Sequence, residues 1–113
     1  MAQIREYCGR TLYEVNNNEI REYCGRTLYQ IRGNYMCRYC GPNIYEFRGD
    51  TINEYCGRAL LVFDGRYVKR YCGPTLYEIS GNYIKRYCGQ TIYEISGSIS
   101  REELMGLIAF LFA

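Results

Sequence analysis

The sequence predicts an all-β protein. Six β-hairpins of 16 residues form a pseudo-symmetric antiparallel sheet that closes, or nearly closes, on its apolar face, with one short helix at the C-terminal end. Three observations predict this. Tyr-Cys-Gly recurs in register at Cys8, Cys24, Cys40, Cys56, Cys72 and Cys88, always 16 residues apart. Turn-forming pairs occupy one equivalent place per unit: Asn16-Asn17, Arg32-Gly33, Arg48-Gly49, Asp64-Gly65, Ser80-Gly81 and Ser96-Gly97. After residue 99 the period stops and an apolar run begins. A strict period of this length marks a repeat architecture, and pairs rich in Gly and Asn tolerate the positive φ of tight hairpin turns.

The hairpin domain covers residues 1–99, with units starting near residues 4, 20, 36, 52, 68 and 84, and the C-terminal segment covers 100–113. Ile4 to Tyr13 recurs unchanged as Ile20 to Tyr29. Each unit reads strand, turn, strand, turn, with strands of about four to six residues. Pro42 and Pro74 fall between Cys and the next apolar residue, where a missing backbone donor costs least. A two-layer β-solenoid is the alternative, because 16 residues also suit one coil of two strands. Strand order separates the two: hairpins give antiparallel neighbours and a solenoid gives parallel ones.

Taking Ser80-Gly81 as the two turn residues sets Tyr77 opposite Ile84 and Ile79 opposite Asn82. One face then carries Tyr77, Ile79 and Ile84, matched by Tyr29, Ile31 and Met36, by Tyr45, Phe47 and Ile52, and by Leu61, Phe63 and Val68. That is the expected core face. Leu76, Glu78, Tyr83, Lys85 and Tyr87 share the other. Strict alternation also puts Glu6, Glu22, Arg38, Glu54, Arg70 and Arg86 on the core side, which burial would not tolerate without partners. A bulge that turns them outward is favoured over a paired ring of three acids and three bases.

At the C-terminal end, Ser100-Arg101-Glu102-Glu103 has the form of a capping box. The apolar residues that follow lie on nearly every side of a helix over 101–112, so the helix should be buried as a cap. Leu104, Leu107, Ile108 and Leu111 are its expected contacts with the hairpins or with another subunit. Ten apolar residues cannot span a bilayer, which takes about 20 in helical form, so no transmembrane span is expected.

The unit seen as Tyr87-Cys88-Gly89-Gln90-Thr91-Ile92-Tyr93-Glu94-Ile95 resembles the short hairpin repeats of bacterial four-fold β-flower domains. The likeness covers about residues 4 to 97. It differs in having six units, in carrying Cys where a polar residue is commoner, and in the apolar tail. The resemblance implies hairpins around a pseudo-symmetry axis and assigns no functional residue.

Composition narrows the chemistry. The chain has 113 residues, a net charge of +2, 14 Tyr, 7 Cys and no His. Lack of His excludes imidazole bases, Ser-His and Cys-His nucleophiles and His-containing zinc sites. The small net charge gives no case for nucleic acid as a partner. An odd number of cysteines and no secretory leader point to free thiols in a reducing, cytoplasmic setting. The repeat cysteines are expected to pack as small residues beside a glycine turn, although a ring of them could bind a soft metal. Cys37-Arg38-Tyr39-Cys40 forms a C-x-x-C, but three positions along a strand point to opposite faces. Arg48-Gly49-Asp50 matches an adhesion tripeptide while sitting in the ordinary turn slot. No cofactor is expected, and the recurring Glu14, Glu46, Glu78 and Glu94 read as solvent-facing positions rather than an acid–base pair.

Two functions follow from this. The first is a non-enzymatic structural protein that self-associates through sheet edges or the apolar helix. The second is a small binding module whose aromatic row, Tyr7, Tyr23, Tyr39, Tyr55, Tyr71 and Tyr87, flanked by Arg5, Arg21, Lys69 and Lys85, holds a carbohydrate, nucleotide or peptide.

Overall fold

The structure, a computed structural model, describes residues 1–113. Twelve strands run in chain order: β1 (Ala2–Glu6), β2 (Thr11–Asn16), β3 (Glu19–Glu22), β4 (Thr27–Arg32), β5 (Tyr35–Arg38), β6 (Asn43–Arg48), β7 (Thr51–Glu54), β8 (Ala59–Phe63), β9 (Tyr67–Arg70), β10 (Thr75–Ser80), β11 (Tyr83–Arg86) and β12 (Thr91–Gly97). One helix, α1 (Arg101–Phe112), follows. Every neighbouring pair is antiparallel, and β1 pairs with β12, Ile4 opposite Ile95, so the sheet is a closed barrel. The antiparallel order excludes the solenoid.

The tight turns lie one residue later than the sequence pattern suggests. Ser80 opposes Tyr83 and Ile79 opposes Ile84, so Gly81 and Asn82 form the turn. Gly81 has φ +58, as do its equivalents Gly33 and Gly49 at about +60, which is what a Gly-first two-residue turn requires. In the first hairpin Asn17 and Asn18 both take positive φ. The shift moves each strand by two positions against its partner, so the faces are unchanged: Ile79 and Ile84 still point inward.

A bulge recurs once per unit, in the longer strand. Leu12 is the extra residue between Thr11 and Tyr13 where β2 pairs with β1, and Leu28, Ile44, Leu60, Leu76 and Ile92 repeat it. The expected bulge therefore exists, but it does not turn Glu6, Arg38 and their equivalents outward. Arg86 stands directly across from Tyr77 on the inner side of the wall. It escapes burial because the strand ends there, at the mouth of a short barrel, and all six charged residues are exposed.

Twelve strands enclose an axis too wide for side chains alone to fill, since about eight strands already leave an interior that side chains just occupy. The helix takes that space. Twelve residues at about 1.5 Å each give about 18 Å, matching the short dimension of the disc-shaped molecule, 38 × 33 × 17 Å. Met105, Leu107, Ile108 and Ala109 are buried against an inner ring of Ile4, Val15, Ile20, Ile31, Met36, Phe47, Ile52, Phe63, Val68, Ile79, Ile84 and Ile95. The helix is thus a plug threaded through its own barrel rather than a lid on it.

Both ends of the plug are fastened. Ser100 caps the helix: its hydroxyl accepts from the Glu103 N–H, and Glu103 Oε1 accepts from the Ser100 N–H. The other oxygen of Glu103 accepts from the Asn18 N–H at 3.0 Å, tying the helix start to the first hairpin turn. Arg101 reaches Asp50 at 2.6 Å. At the far mouth Phe110 packs edge-on to Tyr13, Phe112 stacks on Tyr77 with ring centroids 3.9 Å apart, and the Tyr45 hydroxyl meets the Ala113 carbonyl.

Candidate functional site: the aromatic and arginine-bearing rim

The mouth around the helix C-terminus is ringed by the six Tyr-Cys-Gly turns. In each, the residue before Tyr accepts from the Gly N–H, as in Glu6 O to Gly9 N at 2.9 Å. The backbone N–H of Tyr donates to the carbonyl of the bulged residue across the hairpin, as Tyr23 does to Leu12. Local hydrogen bonding therefore fixes the turn at both ends.

Within this turn Cys and Gly have exchanged the expected roles. All six repeat cysteines adopt φ of 54–57°, the left-handed region that normally selects glycine or asparagine. They are exposed, so they are not packing residues. The glycine, by contrast, is demanded by space: a Cβ on Gly9 would lie 2.8 Å from the Glu6 Cβ, and one on Gly73 would lie 2.9 Å from the Arg70 Cβ. The seven thiols are all free, and no group of His, Cys, Asp or Glu gathers closely enough to hold a metal ion. Cys37 and Cys40 are not brought together. Cys37 is buried in the wall with its thiol directed at the Gln30 carbonyl, while Cys40 sits exposed at the turn.

Tyr7, Tyr23, Tyr39, Tyr55, Tyr71 and Tyr87 are each about half exposed. Three of them rest edge-on against a tyrosine of the outer wall: Tyr7 on Tyr83, Tyr55 on Tyr35 and Tyr87 on Tyr67, with centroids 5.7–6.1 Å apart. The Tyr7 and Tyr87 phenols are held above their ordinary pKa, chiefly by the adjacent Cys8 and Cys88 thiols. A second, inner ring of Tyr13, Tyr29, Tyr45, Tyr77 and Tyr93 lies half-buried around the helix end. Burial raises the Tyr45 and Tyr93 phenols, so both remain neutral donors at physiological pH.

Charge at the rim follows a rule that spacing alone conceals. Where the residue before Tyr is acidic, an arginine four positions on neutralises it: Glu6–Arg10 at 3.9 Å, Glu22–Arg26 at 3.7 Å and Glu54–Arg58 at 3.6 Å. Where it is Arg38, Arg70 or Arg86, the later position is Pro42, Pro74 or Gln90, and these three guanidiniums join no salt bridge. The acids and bases do not pair with each other around the ring. The rim therefore carries surplus positive charge.

The cations expected to flank the tyrosines lie on the outer wall, and two of them reach the rim turns. Arg5 and Arg21 lie on the outer wall, where each faces a glutamate at 3.8–3.9 Å and donates to the carbonyl of Gly9 or Gly25. Lys69 and Lys85 also lie on that wall, opposite Val62 and Glu78. Arg48 and Asp50 of the tripeptide are engaged by Glu46 and Arg101. Of the expected helix contacts, Leu107 and Ile108 are fully buried inside the barrel, and Leu104 and Leu111 pack partly buried against the same core.

Between successive repeat units the rim opens into two grooves. One, of about 430 Å³, is lined by Arg26, Thr27, Leu28, Tyr29, Arg38 and Tyr39. Its neighbour, of about 530 Å³, is lined by Arg10, Thr11, Leu12, Tyr13, Glu22 and Tyr23. No family model matches the chain, and neither a curated protein nor a solved structure matches it. No helix is long and apolar enough to cross a membrane.

Proposed function

We propose that the protein is a small binding module whose ligand docks on the tyrosine- and arginine-bearing rim around the helix C-terminus. The observation that carries this reading is the pairing, in one groove, of the exposed Tyr39 and the half-buried Tyr29 with two guanidiniums, the combination used to hold flat or anionic ligands. Closure supports it by elimination. No strand edge is left for pairing with another chain, and the helix spends its most apolar residues inside its own barrel, so the two routes to self-association drawn from the sequence are already occupied within the molecule.

A panel of carbohydrates, nucleotides and short peptides titrated against the protein tests this, alongside Tyr39→Ala, Tyr71→Ala and Tyr87→Ala variants. Binding that at least one of the three variants weakens supports the reading. Binding indifferent to all three overturns it. Light scattering on the full chain reports independently on the structural alternative: a strict monomer removes self-association.

A further inference from the structure

Resting on the rim reading, we infer that the groove between the second and third repeat units is a site for a phosphate monoester of a molecule that also bears a planar aromatic ring. Pseudo-symmetry supplies six equivalent places on the rim, but their side chains differ. The second contains Arg26 and Arg38 on its two walls, with the Thr27 hydroxyl and the rings of Tyr29 and Tyr39. The first is its equal in position and holds Glu22 where Arg38 stands. In the fourth, the sequence places Arg58 and Arg70 but substitutes Ala59 and Leu61 for the threonine and the inner tyrosine. The third and fifth carry Pro42 and Pro74 in place of the first arginine, and the sixth carries Gln90 and Glu6.

Only the second groove therefore combines two guanidiniums, a hydroxyl and two ring faces. Arg38 is available, since no carboxylate engages it, while Arg26 shares its charge with Glu22. Guanidiniums match phosphate oxygens by geometry and charge, and the rings offer stacking surface to a planar group. The volume of about 430 Å³ lies within the range of about 300–1,000 Å³ typical of small-molecule sites. Because the groove is open, the ring and the phosphate must both contribute. Neither inorganic phosphate nor a neutral ring should bind comparably.

The repeat itself supplies the experiment. Adenosine 5′-monophosphate, phenyl phosphate and a phosphotyrosine peptide are titrated into the full chain by calorimetry, with adenosine and inorganic phosphate as controls. One site per chain is expected for at least one of the monoesters, and the nucleotide and peptide arms show which source of the shared chemistry is preferred. Arg38→Glu reproduces the charge of the first groove, which the fold already accommodates, and should weaken binding by about tenfold or more. Glu22→Arg gives the first groove the residue set of the second and should raise the stoichiometry from one to two.

Adenosine or inorganic phosphate binding as tightly as the monoester overturns the inference, as does an Arg38→Glu affinity within twofold of the parent. Tyrosine-dependent binding of neutral sugars or rings without preference for phosphate overturns it while leaving the rim reading intact. Absence of any tyrosine-dependent binding overturns both. If vesicles containing phosphatidylserine bind and the monoesters do not, the inference also fails and the arginines belong to a membrane surface.

Discussion

Gly106, in the middle of the axial helix, lies directly against the Ile31 side chain of β4. A Cβ at Gly106 would collide with the tip of Ile31 and come within 2.8 Å of its Cγ1. Glycine inside a helix costs about 1 kcal/mol relative to alanine, so this position trades helix propensity for fit. Gly106→Ala is expected to destabilise the protein by about 1–2 kcal/mol net of the propensity gain. Paired with Ile31→Ala, it should be better tolerated than the sum of the two single changes. A double-mutant cycle by chemical denaturation checks this, with a coupling of about 1 kcal/mol expected.

The plug itself should be indispensable. Leu107 is fully buried on the barrel axis, and Leu107→Ala is expected to cost about 2–5 kcal/mol because the surrounding wall cannot close on the space. Thermal denaturation followed by circular dichroism measures the loss.

Cys and Gly in the rim turns should respond in opposite directions. Cys72→Asn places a residue tolerant of positive φ at a left-handed position and should stabilise by about 0.5–1 kcal/mol. Gly73→Ala brings a Cβ against that of Arg70 and should destabilise by about 1–3 kcal/mol. Denaturant midpoints distinguish this assignment from one in which Cys is the packed residue, where Cys72→Asn would destabilise.

Thiol accessibility offers a direct check. Six cysteines are exposed and only Cys37 is buried. A thiol reagent under native conditions should modify six groups promptly and the seventh only on unfolding. Cys37→Ala should remove the slow phase alone.

Acid should loosen the helix start. Burial alone would raise the Glu103 carboxyl, but hydrogen bonds from the Ser100 and Asn18 N–H groups outweigh it and hold the group below the ordinary carboxylate value. A depressed folded-state value means a contribution fully present above about pH 4.5, fading as pH falls towards the folded value. Glu103→Ala should cost about 1 kcal/mol at neutral pH, as loss of a cap does, and should flatten the pH dependence of stability in that acid window.

Local chemistry made much of this architecture legible. The existence of one tight turn per unit, though read one residue early, the capping box at Ser100 and the inward set Ile31, Met36, Phe47 and Ile52 all depend on residues within a few positions of one another. What the sequence concealed depends on distant partners. That Cys8 rather than Gly9 takes the positive φ follows from Gly9 meeting the Glu6 Cβ, a contact created only once the turn has closed. That the helix enters the barrel follows from the number of strands around the axis, which no single unit encodes. The rim grooves were missed because each draws its walls from two repeat units. The covariation of Glu22 with Arg26, and of Arg38 with Pro42, was the available sign that the six rims are not alike.

Threading a single helix through six similar walls also has a cost in interchangeability. An α-helix has 3.6 residues per turn, so it cannot offer the same surface to each hairpin. The inner positions answer it in part: Val15, Ile31, Phe47, Phe63, Ile79 and Ile95 occupy the same place in successive units, three as Ile, two as Phe and one as Val. The glycine of the helix lies against Ile31, with Met36 Sδ at the edge of contact. At least the unit carrying Ile31 is thereby matched to its place around the helix, an internal order that the outward repetition hides. Shuffling the units would preserve the surface pattern while scrambling the match at the axis.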